Sequence, residues 1–231
     1  MALRAALRLA CGTTTATGLL MSARQIAGCQ NRPSSSRNSL PPVLGKSFSP
    51  PKEHFFVAGV LCVQHHLPPI NFVQQHILGI IPPAGDETRT VVCHSSDEHN
   101  GTVTWMRLFN HGTSSFSTVW TMASDSQPLS EAFGPLHLTQ HLEVSELDGG
   151  RTRATLLHDA TSVMGAVPLP VWLMESRCVL DVHADGKGYD LDVQVRLCGW
   201  SMVTYSGSLR ELEGRPVDLL SAQEAKAFGG V

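Results

Sequence analysis

The chain has 231 residues and a formal net charge of −3, with 17 Lys and Arg residues against 20 Asp and Glu residues. All of the acidic residues lie from Glu53 onward, so the part of the chain from residue 53 carries ten basic and 20 acidic side chains, a net charge of −10. An acidic domain of about 180 residues argues against nucleic-acid binding, which needs a cationic surface, and no run approaches the roughly 18 apolar residues of a membrane-spanning helix.

The first 52 residues contain no acidic residue. Residues 1–30 are rich in Ala, Ser, Thr and Arg, a composition typical of a mitochondrial targeting segment. Apolar residues recur at helical spacing through the first ten positions, beside Arg4 and Arg8. A secretory signal is the alternative, but Thr13, Thr14 and Thr15 interrupt its apolar core. The sequence therefore predicts a mitochondrial location, in the matrix or at the periphery of the inner membrane.

Residues 31–52 are rich in Ser and Pro. Proline lacks a backbone N–H group and fixes its own backbone geometry, so a cluster of prolines opposes regular helices and strands. We interpret this segment as a linker between the targeting segment and a domain that spans residues 53–215.

Two segments show the apolar spacing of a helix. The first is Pro69–Ile81, which is followed by two prolines. The second lies within residues 216–231, where Pro216 occupies a first-turn position and predicts a short C-terminal helix and tail. The run Phe55–Val63 is compatible with a strand or a helix, and its periodicity does not decide between them.

From Thr88 onward, apolar and polar side chains alternate with a period of two residues. Such alternation buries one face of a sheet and exposes the other face to water. The alternating runs lie at residues 103–109, 116–122, 136–144, 178–184, 189–197 and 203–209.

Short turns rich in Gly, Asn and Asp separate these runs, for example Asn100-Gly101 and Asp148-Gly149-Gly150. These residues tolerate positive φ, and strands joined by such short turns are antiparallel neighbours. We count about eight strands, and a sheet of that size must curl or close to protect its edges. The sequence predicts a mainly β fold, α+β at most, with a strongly curved sheet, half-barrel or barrel and one or two short flanking helices.

Arg107 is the main candidate for ligand recognition, because the alternation places it on one face with Trp105 and Phe109. A guanidinium group among aromatic rings can bind a carboxylate or a phosphate. It can equally form a structural ion pair with Glu131 or Glu175, because a buried charge is rarely left unpaired. The predicted ligand-binding residues are Trp105, Arg107, Phe109 and Trp120.

The loop at residues 167–174 is apolar and rich in proline, so it is a poor candidate for a sheet strand. It can close the mouth of a barrel, cover the core or contact a protein partner, since exposed apolar patches mark interaction sites. The residues predicted to form this interface or lid are Pro168, Leu169, Pro170 and Trp172.

The sequence carries no motif for a metal, a cofactor or covalent catalysis. The 11 histidines lack the spacing of known zinc sites, and His137 and His141 would lie about 13 Å apart along a strand. No nucleophile elbow or dinucleotide fingerprint is present. The cysteines show no close pairs, which favours buried thiols in a reducing compartment. We therefore predict no metal and no cofactor.

The order of several short segments resembles the uncharacterised family called domain of unknown function 4166. That family is best known from bacteria, where the domain sometimes lies beside reductase domains similar to saccharopine dehydrogenase. The resemblance implies a single β-rich domain and supplies no established reaction. The matching segments lie between Leu78 and Leu209: they are Leu78–Gly85, Gly101–Phe109, Glu131 with Phe133–Pro135, Gly165–Pro170 with Glu175, and Tyr189–Leu197 followed by Gly199, Tyr205 and Gly207.

Together these patterns predict a mitochondrial β-rich module that encloses a small apolar or acidic ligand, with Arg107 facing the acidic end. One alternative is an accessory subunit of a larger mitochondrial complex, with the apolar loop as its contact with a protein partner. A second alternative is an enzyme whose catalytic groups converge only in the fold, although the lack of motifs favours a protein without catalytic activity. No nucleic-acid partner and no transmembrane span are expected.

Overall fold

The computed structural model describes residues 40–49, 54–72, 81–97, 99–121, 128–213 and 220–228. The predicted targeting segment lies outside the described residues, as do residues 31–39 and 50–52 of the predicted linker. Residues 73–80 of the predicted helix at Pro69–Ile81 and Pro216 at the start of the predicted C-terminal helix also lie outside them.

The described part of the chain contains eleven strands joined mostly by short turns. Strand β1 is Phe55–His65, which settles the ambiguous apolar run as a strand. The other strands are β2 (Gly85–Asp97), β3 (Thr102–Phe109), β4 (Ser114–Thr121), β5 (Leu129–Phe133), β6 (Leu136–Leu147), β7 (Arg151–Val163), β8 (Val167–Leu169), β9 (Met174–Val182), β10 (Gly188–Leu197) and β11 (Trp200–Glu211).

Ten of these strands form a closed antiparallel barrel. In the ring, β1 to β7 pair in chain order and β7 then pairs with β9. The ring continues through β10 and β11, and β11 pairs with β1 to close it. The short β8 pairs with the end of β7 and lies outside the ring. The prediction of a mainly β, barrel-like fold is thus confirmed, and closure leaves no long free edge in the ring.

The strand count was underestimated because β5 and β7 lack a clear alternation. β5 has only five residues, which is too short for a reliable period. β7 carries polar residues on both faces, and its pairing with β6 shifts by one residue between Thr139 and Gln140. Such a bulge breaks the alternation on which the prediction depends.

Helix α1 (Pro42–Phe48) lies where the sequence predicts a linker. The prolines at positions 41 and 42 begin the helix instead of preventing it, since proline is well tolerated in the first turn. Val43, Leu44 and Phe48 are buried in the main core of the barrel. The linker prediction therefore does not extend to residues 42–48, which belong to the folded domain.

Helix α1 covers one end of the barrel, which we call the helix end. Its Phe48 ring lies 5.2 Å from Trp105 and 5.9 Å from Trp120, two side chains that point inward. The Ser47 carbonyl accepts a hydrogen bond of 2.9 Å from the Trp105 indole. Lys46 lies 2.6 Å from Glu211 at the end of β11, which fixes the helix to the barrel wall. We call the opposite end, where β1 connects to β2, the loop end.

Two further short helices pack on the barrel. Helix α2 (Pro68–Phe72) lies in the β1–β2 connection, where the Asn71 amide donates to the Met202 carbonyl over 3.1 Å. Helix α3 (Ala222–Ala227) begins after Ser221, which forms a capping box with Glu224. It covers a small second core on the outer face of β1 and β2 that includes Phe56 and Leu220.

Glycines allow a close approach of β1 and β11. A Cβ atom on Gly59 would overlap the Ser208 carbonyl, and one on Gly207 would overlap the Val60 carbonyl. Glycine at such positions lets neighbouring backbones bend toward each other, which a closed barrel requires.

Candidate functional site

A cavity of about 110 Å³ lies inside the barrel. One water molecule needs about 10–15 Å³ on the same measure, so the space suits a ligand of roughly ten non-hydrogen atoms. Most of the wall is apolar, with side chains contributed by nearly every strand. At the loop end the lining reaches Ile81, Pro82 and Met174, whereas α1 covers the opposite end.

Arg107 is the cation of this cavity. It lies on β3 with a side-chain exposure of 13%, between the rings of Trp105 and Phe116, whose centroids are 5.4 and 4.8 Å from the guanidinium carbon. One of its nitrogens donates to the Thr118 hydroxyl over 2.9 Å. Aromatic faces attract cations more strongly where water is excluded, so the two rings help to hold the charge in place.

Glu131 supplies the opposing charge from β5. Its carboxylate lies 3.6 Å from a second Arg107 nitrogen and accepts a hydrogen bond of 3.3 Å from the Gln140 amide. Burial raises the pKa of Glu131, while the Arg107 charge and the hydrogen bonds from Thr118 and Gln140 oppose that rise. The 3.6 Å separation exceeds the usual length of a charge-assisted hydrogen bond, so the pair is loose rather than bidentate.

Two buried polar atoms next to this pair have no partner. They are Nε1 of Trp120, which is a donor, and Oε1 of Gln140, which is an acceptor. Trp120 is the residue directly opposite Glu131 in the β4–β5 pairing, and both side chains line the cavity. An unpaired buried polar atom carries a cost of about 1–3 kcal/mol, which a ligand or water with matching groups would relieve.

The other titratable side chains of the cavity stay uncharged near neutral pH. Burial raises the pKa of the Cys178 thiol to about 12, and the nearby Glu131 charge adds to that rise. Burial also raises the pKa values of the Tyr189 and Tyr205 hydroxyls, which the Arg107 charge partly opposes. These groups therefore offer hydrogen bonds and no base for proton abstraction.

Residues 40–209 match the sequence pattern of DUF4166, a domain of unknown function. The chain belongs to the DUF4166 family. The match begins before α1 and ends in β11, so it includes the helix that covers the barrel as well as its ten strands. No curated protein and no solved structure shows a significant similarity to the chain.

The DUF4166 barrel brings together three of the four predicted ligand-binding residues. Trp105, Arg107 and Trp120 line the cavity. Phe109 also points inward, but it stacks on Phe116 at 5.6 Å between ring centroids and does not contribute to the cavity surface.

The two predicted ion-pair partners of Arg107 lie on opposite sides of the wall. Glu131 faces the interior, as described above. Glu175 lies on the outer face, because its neighbour Met174 points inward and side chains alternate along β9. Its carboxylate is 3.8 Å from Arg196, with both side chains about half exposed.

The predicted lid or interface loop includes β8 and a single-turn helix at Val171–Leu173. Pro168 and Pro170 are exposed, Leu169 is partly buried, and the Trp172 side chain is exposed. The indole of Trp172 therefore does not cover the core.

Sequence reasoning missed several residues that line the DUF4166 cavity. Gln140 lies on the same face of β6 as Leu138 and Leu142, but a polar residue on an apolar face did not by itself predict a place in the cavity. Thr118 shares the inward face of β4 with Phe116 and Trp120, as the alternation predicts, but the pattern does not show that its hydroxyl bonds Arg107.

Neither a metal centre nor a helical membrane span is found in the part of the chain that the structure describes. There, no group of three or more His, Cys, Asp or Glu side chains is arranged to hold a metal ion. None of the helices in these ranges is long and apolar enough to cross a bilayer.

Proposed function

We propose that the barrel binds a small amphipathic carboxylic acid, with its carboxylate at Arg107 and its apolar chain along the cavity wall. The observation that carries this proposal is a buried cation beside two unpaired polar atoms in an otherwise apolar cavity of about 110 Å³. An apolar pocket with a few converging polar groups is the usual form of a small-molecule site.

The loose pairing with Glu131 supports an exchange of counter-charges. A ligand carboxylate would take the place of Glu131 beside Arg107, and the second negative charge would favour the protonated form of Glu131. A protonated Glu131 donates a hydrogen bond and no longer repels the ligand. The ligand carboxylate would accept a further hydrogen bond from the Trp120 indole, and the protonated Glu131 would donate to the unpaired Gln140 oxygen.

Binding is favoured over catalysis because the thiol and the two phenol groups of the cavity do not ionise near neutral pH. The raised pKa of Cys178 disfavours a thiolate nucleophile. The raised pKa values of Tyr189 and Tyr205 disfavour a phenolate base.

Calorimetric titration with octanoate and with octan-1-ol tests the proposal, because the two ligands differ only at the head group. We expect octanoate to bind the protein more tightly than the alcohol. Arg107→Met should weaken octanoate binding about tenfold or more and leave octanol binding unchanged, since a hydrogen bond to a charged group contributes about 1.5–3 kcal/mol.

Arg196→Met is the matched control, because it removes an arginine that is paired with a glutamate on the outer face. Equal effects of the two substitutions on octanoate binding, or no octanoate binding by the wild-type protein, would contradict the proposal. Arg107→Lys keeps the charge and loses the planar fork, so it should give an intermediate affinity if both matter.

The pH dependence of octanoate binding tests the role of Glu131. The charged and titratable groups around this carboxyl are Arg107, Cys178 and Tyr205, and the last two stay neutral at neutral pH. Affinity should fall as the pH rises past the raised pKa of Glu131, because binding then requires proton uptake. Glu131→Gln should remove this slope, and an unchanged slope would exclude Glu131 as its origin.

A mitochondrial location remains part of the proposal, supported by the acid-free composition of residues 1–30. Residues 1–39 fused to a fluorescent protein should direct it to mitochondria. The same fusion with Arg4 and Arg8 replaced by Glu should not be imported, and import of both fusions alike would contradict this assignment.

A further inference from the structure

The connections at the two ends of the barrel differ in their content of charged residues. In an antiparallel barrel, alternate connections lie at the same end, so five connections meet at the loop end. In the part that the structure describes, none of the five contains Asp, Glu, Lys or Arg: they comprise residues 66–72 with 81–84, 110–113, 134–135, 164–173 and 198–199. Charged side chains begin on the adjoining strand ends, with Asp86 and Glu87 on β2 and the Glu175–Arg196 pair on β9 and β10. At the helix end, the two turns that the structure describes in full, residues 148–150 and 183–187, each contain an acidic residue, Asp148 and Asp185.

The loop end also exposes large apolar side chains. Trp172 and Trp200 are 56% and 72% exposed, and Met164, Val167 and Val171 are exposed beside them in sequence. The Cys198 amide donates to the Leu173 carbonyl over 2.9 Å, which ties the β10–β11 turn to the loop that carries Trp172. Trp172 therefore lies on a connection that is bonded to the turn directly before Trp200, the first residue of β11.

We propose that the loop end docks on the surface of a lipid bilayer, with Trp172 and Trp200 in the interfacial region. Tryptophan is enriched at this depth of a membrane, because its ring is apolar and its N–H remains hydrogen-bonded. Uncharged connections avoid the cost of bringing ionised side chains into the interface. The acidic connections lie at the opposite end, away from lipid head groups.

This inference rests on the proposed function and extends it: the membrane would be the source of the amphipathic carboxylic acid. Ile81, Pro82 and Met174 belong to the connections of the loop end or adjoin them, and they also line the cavity. An amphipathic acid dissolved in the bilayer would thus meet apolar side chains from the bilayer to Arg107. The occupant of the loop end is a lipid surface; a second copy of the chain is the competing outcome of the test.

The test is partitioning of the full-length protein onto neutral phosphatidylcholine vesicles, measured by flotation. The variant Trp172→Ser with Trp200→Ser removes the two exposed indoles. The matched control, Val60→Ser with Val119→Ser, removes apolar side chains that are 49% and 39% exposed on the outer wall. The basic N-terminal segment is the same in all three proteins, so its own affinity for lipid does not affect the comparison.

We expect the Trp variant to lose about tenfold or more in partitioning, from the apolar area withdrawn from water, and the Val variant to bind as wild type. Binding should change little with salt, because the phosphatidylcholine vesicles carry no net charge. Lipids brominated in their acyl chains should quench the wild-type tryptophan fluorescence. No vesicle binding by wild type, or equal binding by both variants, would overturn the proposal.

Sedimentation without vesicles distinguishes self-association from membrane docking. A dimer that the Trp variant loses would assign the loop end to a second copy and overturn the lipid proposal. Octanoate titration of the same variants separates the two hypotheses: intact octanoate binding with no vesicle binding rejects docking alone. Vesicle binding with no octanoate binding rejects the proposed function and leaves docking without a ligand to explain it.

Discussion

The buried pair of Arg107 and Glu131 should be energetically unlike the exposed pair of Arg196 and Glu175. The buried side chains are 13% and 11% exposed and lie 3.6 Å apart. At an effective dielectric constant of about 20, two unit charges at this distance attract by on the order of 4–5 kcal/mol. The outer side chains are 43% and 57% exposed at 3.8 Å, and such pairs contribute about 0–1 kcal/mol.

Arg107→Met should therefore lower the free energy of unfolding by about 3–5 kcal/mol at neutral pH, because it leaves a buried carboxylate without its counter-charge. Arg196→Met should lower it by less than about 1 kcal/mol. Adding Glu131→Gln to Arg107→Met should restore at least half of the loss, since the buried charge is then absent. Adding Glu175→Gln to Arg196→Met should change little.

Urea denaturation followed by circular dichroism provides all of these free energies on one scale. The double-mutant cycle isolates the coupling between the two side chains, provided that the slope of the transition stays the same in each variant. A coupling energy for the buried pair no larger than that of the outer pair would refute this account. Such a result would mean that water in the cavity, or a relaxed structure, screens the charges of Arg107 and Glu131 as strongly as bulk solvent screens the outer pair.

Three further predictions concern the wall, the core and the thiols. Gly59→Ala should lower the free energy of unfolding, because the new Cβ atom would overlap the β11 backbone. Gly45→Ala in α1 has open space around it and should raise the free energy of unfolding by roughly 0.5–1 kcal/mol. Equal urea midpoints for the two variants would contradict the close approach of β1 and β11. Burial, with the Arg107 charge adding to it, lowers the pKa of His94 to about 3. Between pH 6.5 and 3 the folded state therefore binds fewer protons than the unfolded state, and stability falls by about 1.4 kcal/mol for each pH unit of acidification. His94→Phe should flatten this slope in thermal melts, and an identical slope would show that His94 titrates normally. Cys178 and Cys198 are both partly buried, but Cys178 faces the cavity and burial raises the pKa of its thiol to about 12. At pH 8 a thiol reagent should therefore modify Cys198 well before Cys178, as judged by peptide mass spectrometry. Equal rates would argue against a closed interior.

Much of the barrel was readable from the sequence because its inward faces repeat every second residue. Trp105 and Arg107 on β3, for example, were assigned to one face by period alone, and the structure places both in the interior. The sequence predicts that a sheet of this size must curl or close to protect its edges, but it does not predict which strands close it. Which strands meet depends on pairing across the whole chain, here β1 with β11, and local patterns do not contain it.

Helix α1 shows where composition misleads. Ser47 and the flanking prolines resemble a linker, yet Phe48 fills the space between two interior indoles. Its burial depends on a hydrophobic surface formed by residues more than fifty positions later in the chain, so no local window could predict it. The unpaired Trp120 and Gln140 atoms were hidden for the same reason, since only the closed barrel brings them to one cavity.

The pairing of β1 with β11 also sets the order in which the chain can complete its fold. Val57 pairs with Glu211, about 150 residues later, so the ring closes only after its last strand is available. Contacts between such distant residues form slowly, and until then β1 and β10 each keep an unpaired edge that can recruit other chains. A chain that ends before β11 would expose both edges at once, so we expect a truncated product to aggregate rather than form a smaller barrel.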